Sequence, residues 1–132
     1  MNGSVVYAGK GNLMSCSMGK NQTLMDGDSE SALSPVQSVL LSHGACSLID
    51  VVDGLRRYQI ENAKVELESK RSQDHPRVFT QVNLNFSIES DAPESLIRRL
   101  IESSFEKYCT VGAIIERSGC EVTWNLERKL TK

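Results

Sequence analysis

Positive charge is nearly missing from the first part of this chain: residues 1–52 carry two Lys and no Arg, and the first Arg is Arg56. With a formal net charge of −2 over 132 residues, no general field draws nucleic acid or an anionic membrane. Aromatics are few, and the three Tyr, three Phe and one Trp have no basic cluster between them, which argues against nucleic-acid readout. Gly9-Lys10-Gly11 lacks the rest of a phosphate-cradling loop, and neither GxSxG nor HExxH occurs. The four cysteines, 16, 46, 109 and 120, form no CxxC pair, and with His43 and His75 they match no usual zinc-ligand spacing. No metal and no cofactor is expected. Residues 1–7 lack a basic region followed by an apolar stretch, so no secretory signal is visible. The longest uncharged run, residues 31–49, contains Ser31, Ser34, Gln37, Ser38, Ser42, His43 and Ser47, too polar a set for a membrane span. A cytoplasmic, reducing setting is therefore expected, where cysteines are free or catalytic rather than structural disulfides.

What is present suits one globular domain over residues 1–132, at 39% hydrophobic and 24% charged residues. Val5, Val6 and Tyr7, then Met14, Cys16 and Met18, then residues 22–25 read as a three-strand meander with turns at Gly9-Lys10-Gly11-Asn12 and Gly19-Lys20-Asn21. Ser34-Pro35 is a helix start, and the helix is expected to run to about residue 58. Its apolar residues, among them Val36, Val39, Leu41, Leu48, Ile49 and Val52, cover nearly the whole circumference, which predicts a long central helix buried on all sides. Alternation over residues 63–68 and 78–88 predicts two long antiparallel strands. Leu96, Ile97, Leu100, Ile101, Phe105 and Tyr108 form one stripe of a second helix; a short helix over residues 111–117 and a last strand at Val122, Trp124 and Leu126 follow. The order is βββαββααβ, an α+β fold.

Chemistry concentrates on thiols. Cys46 lies within the long helix, with His43 three residues before it and Asp50 four after, all on one face. His43 can accept the thiol proton or, when charged, favour the thiolate, whereas Asp50 opposes it unless paired. The plainer role for Cys46 is a small buried hydrophobe. Cys109 follows one helix and begins another, where free N–H groups favour a thiolate. Cys16, on a strand face with Met14 and Met18, and Cys120, after a glycine, read as packing residues.

Four segments carry a resemblance: Leu33-Ser34-Pro35-Val36-Gln37-Ser38-Val39-Leu40-Leu41, Gly44-Ala45-Cys46-Ser47-Leu48-Ile49-Asp50-Val51-Val52, His75-Pro76-Arg77-Val78-Phe79-Thr80 and Glu106-Lys107-Tyr108-Cys109-Thr110-Val111. Together they resemble the OsmC/Ohr family over roughly residues 5–127. The resemblance implies an intertwined homodimer, with two long helices wrapped by sheets of both chains and sites at the interface. It further implies a thiol peroxidase. Cys46 is then peroxidatic, attacking the O–O bond of an organic hydroperoxide to become a sulfenic acid, and Cys109 is resolving, converting that acid to a disulfide which a dithiol or lipoylated reductant reopens.

The match departs from the peroxidase members at the groups that support the thiolate. Those members carry an Arg in the N-terminal strand region, absent here before Arg56, and a Glu after the helix-starting Pro, where this chain has Val36. A related branch has the Glu one place later, where Gln37 stands. Gln37, His43 and Asp50 are therefore the candidate supporting residues, with Lys10, Lys20 or a partner-chain Arg as further sources of positive charge. The alternative function is a non-catalytic dimer that binds small apolar molecules or serves as a stress-associated scaffold. Neither role involves nucleic acid or membrane.

Overall fold

A computed structural model describes residues 1–131 and has the expected element order. It divides into two units, residues 1–40 and residues 41 onward.

In the first unit, β1 (Gly3–Tyr7), β2 (Leu13–Met18) and β3 (Asn21–Asp26) form an antiparallel meander in the order β1-β2-β3. Gly9 (φ +86°) and Gly19 (φ +60°) stand in the turns, in a left-handed backbone that a Cβ disfavours. After β3 the Asp26 carboxylate accepts N–H groups of Asp28 (2.9 Å) and Ser31 (2.9 Å), and these bonds hold it below the usual carboxylate range.

Helix α1 (Pro35–Gly54) begins in the first unit and runs into the second. Ser34 and Gln37 start it with a reciprocal capping box: the Gln37 N–H donates to Ser34 Oγ (3.1 Å), and Gln37 Oε1 accepts the Ser34 N–H (2.9 Å). The helix stops at Gly54, four residues short of the expected end, because the chain turns there, with Tyr58 N–H donating to the Leu55 carbonyl. A side chain at Gly54 would collide with Leu100.

The second unit holds an antiparallel pair, β4 (Ile60–Arg71) and β5 (Phe79–Ser90), with β6 (Glu121–Leu130) added alongside β5 in parallel. The parallel pairing was not part of the sequence expectation; it requires the chain to cross back between the strands, and α2 (Glu94–Ser103) and α3 (Thr110–Arg117) lie in that crossover. Val82, Leu84, Phe86 and Ile88 of the central strand are buried, with Ile97 and Ile101 of α2, Val51 of α1 and Leu55 just after it. Each such side chain contributes roughly 1.5–3 kcal/mol on burial.

One expectation is corrected. The apolar stripe of the second helix does not continue regularly to Tyr108: a π-helical turn, Ser104–Tyr108, follows α2 and leaves Tyr108 exposed. Within one chain, His43, Gly44, Ser47 and Val51 of α1 are covered, whereas Val39 (44% exposed), Leu41 (47%) and Ile49 (57%) face outward. By length and composition alone α1 also suffices to cross a membrane, yet its covered stripe includes His43 and Ser47, polar groups packed against protein.

Candidate active site

The site is built where α1, the π turn and α3 meet. On α1, His43, Ser47 and Val51 recur at helical spacing and face inward; Cys46 and Asp50 flank that stripe and are half-buried. Gly44 lets this part of the helix lie against β4, since a Cβ there would fall 2.7 Å from Leu67 Cδ1 and 3.3 Å from Val65 Cγ1.

The π turn delivers the second thiol. The Cys109 N–H donates to the Ser104 carbonyl at 2.8 Å, five residues back, and the chain then leaves the helix with Cys109 extended (φ −78°, ψ 96°) as the N-cap of α3. Its Sγ accepts the Gly112 N–H at 3.3 Å, and the Cys46 thiol is near enough to act on its titration. Both cysteines are free. The expectation that the helix start would make Cys109 a ready thiolate is corrected: burial pushes its thiol up to about 12, against which the Gly112 N–H pulls down, while Cys46 and Asp50 add to the rise. One weak N–H bond from an eight-residue helix does not offset desolvation of a residue 3% exposed.

His43 is fully buried, and neither Nδ1 nor Nε2 has a hydrogen-bond partner. Its ring meets Phe105 edge-on, with centroids 6.0 Å apart; Phe105 in turn stacks on Trp124 at 6.4 Å and meets Phe86 edge-on at 6.5 Å. Burial lowers the His43 pKa from its ordinary value, and Glu116 on α3 pulls the other way. Gly112 separates His43 from Cys109, and a Cβ built on it would lie 2.8 Å from His43 Nε2 and 3.1 Å from Cys109 Sγ. The imidazole and the second thiol therefore converge on one small space.

Asp50 is paired rather than loose. The buried Ser104 hydroxyl donates to Asp50 Oδ2 at 2.7 Å and stands 3.2 Å from Ser47 Oγ, tying the π turn to α1 beside the thiols. Ser47, Ser104, Phe105 and Gly112 were not anticipated; the one signal for Ser104 was a small polar residue inside an apolar helical stripe.

Gln37 has another occupation. Besides the capping box, its Oε1 accepts the Ser29 hydroxyl at 2.6 Å, so its side-chain bonds fall within residues 29–37. Cys16 is half-buried on β2, and Cys120 is buried just before β6, with burial raising its pKa. Among the described residues, no three His, Cys, Asp or Glu side chains gather as a metal site.

Comparisons with known proteins agree with this architecture. The family described as OsmC-like protein matches residues 27–125. Protein YhfA of Escherichia coli strain K12 is 39% identical over 102 residues, 74% of this chain and 76% of its own length. The crystal structure of an OsmC-like protein from Mycoplasma pneumoniae superposes with a TM-score of 0.80 at 16% identity, covering 97% of this chain and 96% of that one. The organic hydroperoxide resistance protein OhrB of Bacillus subtilis gives 0.61 at 13% identity, covering 96% and 98%.

Proposed function

The chain belongs to the OsmC-like protein family, and from that premise we propose that it is a thiol peroxidase that reduces organic hydroperoxides. The observation that carries this reading is the closeness of the two thiols, Cys46 lying near enough to Cys109 to raise its pKa, which places an attacking and a resolving sulfur in one site.

The Cys46 thiolate attacks the outer peroxide oxygen. An S–O bond forms, the O–O bond breaks, and the alcohol leaves with a proton. Cys109 then attacks the sulfenic sulfur; an S–S bond forms, the S–O bond breaks, and water leaves. A dithiol or lipoylated reductant reopens the disulfide by two exchange steps. Phe105 and Trp124 give the surroundings an apolar character that suits an organic peroxide better than hydrogen peroxide. The structurally similar Bacillus subtilis protein is named for resistance to organic hydroperoxides, the same substrate class.

The working form in this proposal is a homodimer. Ala45, Leu48, Ile49 and Val52 line a groove of about 270 Å³ along the outward face of α1, an apolar strip for a second copy to cover.

The alternative, a binding protein without catalysis, is favoured by a different observation. Within the first unit, Val5, Met14, Cys16, Met18, Met25 and Pro35 line an apolar concavity of about 710 Å³. Consumption of cumene hydroperoxide with dihydrolipoamide as reductant separates the two. Peroxidase function requires turnover by the native protein and none by Cys46→Ser; turnover retained without Cys46 contradicts it.

A further inference from the structure

A resolving thiol raised as far as Cys109 poses a chemical problem. At neutral pH almost none of it is the thiolate needed to attack a sulfenic acid, and the Gly112 N–H is its one stabilising bond. The same small space holds a buried imidazole with no partner on either ring nitrogen, across Gly112 from the sulfur. Burying both nitrogens of a histidine without partners is costly and calls for a compensating use.

We propose that His43 is the proton acceptor that frees Cys109 for attack on oxidised Cys46. This deepens the peroxidase reading and rests on it for the identity of the oxidant. As the Cys109 sulfur closes on the Cys46 sulfenic sulfur, the thiol proton passes to His43 Nε2. The new S–S bond forms, the S–O bond breaks, and the departing hydroxide takes that proton from the imidazolium and leaves as water. The imidazole suits this task because burial keeps it neutral through the neutral range, with a ring nitrogen open to accept a proton. Phe105 holds the ring edge-on, and Gly112 leaves room for the sulfur to approach.

The titratable groups around His43 are Cys46 and Asp50 on its own helix, Cys109 at the cap of α3 and Glu116 within α3. The π turn contributes Phe105, and Ser104 already bonded to Asp50. The β4 residues packed against neighbouring Gly44 are the uncharged Val65 and Leu67.

The step is isolated without peroxide. In the Cys16→Ser background, which removes the other half-buried thiol, Cys46 is converted to its mixed disulfide with thionitrobenzoate. Closure by Cys109 then releases that coloured thiolate, an S–S exchange in which His43 again takes the Cys109 proton. Release is expected to rise through one titration below pH 6.5 and then level off, as a neutral imidazole base requires. In His43→Gln it is expected to be at least tenfold slower at pH 7 and to climb tenfold per pH unit without levelling. An equal rate in His43→Gln, or a native profile that climbs steadily from pH 6.5 to 9, overturns the proposal. The native profile decides the matter even where the variant does not fold. A native protein that closes this disulfide but never reacts with hydroperoxide retains the His43 assignment and loses the peroxidase reading.

Discussion

Cys109, at the cap of α3, lies near enough to Cys46, in the middle of α1, for the one thiol to raise the pKa of the other. Two thiols this near each other can close a disulfide, so that an oxidised Cys46 is intercepted before it advances to irreversible acids. Cys109→Ser is therefore expected to reduce one equivalent of hydroperoxide per chain and then stop, with the Cys46 sulfenic acid trapped by a dimedone probe. Continued turnover in that variant contradicts a resolving role.

Gly112 is the narrowest point between His43 and Cys109. Its missing Cβ would stand 2.8 Å from His43 Nε2, so Gly112→Ala must push the ring or the thiol aside. The expected cost is about 1–3 kcal/mol in urea unfolding. Disulfide closure is expected to slow while the first step, peroxide attack by Cys46, proceeds as before.

Stability should depend on pH through His43. Its folded pKa lies below the ordinary 6.5 because burial disfavours the charged ring. The unfolded chain therefore binds more protons below that value, and stability present above pH 6.5 is lost as pH falls toward the folded pKa. One proton sets a limit of about 1.4 kcal/mol per pH unit on the slope. Urea midpoints between pH 7 and 5 should fall in the native protein and fall less in His43→Gln; equal slopes contradict this assignment.

Ile49 stands 57% exposed within the groove on the outer face of α1. Light scattering is expected to give a dimer for the native protein and a monomer for Ile49→Lys. A monomeric native protein would remove the proposed second copy.

Much of the architecture was legible in the chain. Alternation in β4 and β5, the Ser34-Pro35 start and the order of elements follow from local patterns that tertiary contacts reinforce. What covers α1 was not legible, because an apolar circumference does not say whether Leu41 and Ile49 are covered by their own chain or by another. The π turn was invisible, since it depends on one backbone bond, Cys109 to Ser104, with no marker in residue type. Cys46, Cys109, His43 and Asp50 were readable as candidates. Their surroundings were not: the burial that raises Cys109, the pairing of Asp50 with Ser104 and the empty valences of His43 arise from residues distant in sequence. Gln37 shows the converse, a candidate whose bonds identify it as a helix cap.

Peroxide reduction as proposed requires Cys46 and Cys109 to form one redox pair. Treating the reduced protein with one equivalent of cumene hydroperoxide and mapping its disulfides by mass spectrometry under non-reducing conditions tests it directly. Rapid loss of two thiols per chain and a Cys46–Cys109 bond within the same chain are expected. Unchanged thiols, or a bond formed instead by Cys16 or Cys120, would contradict it.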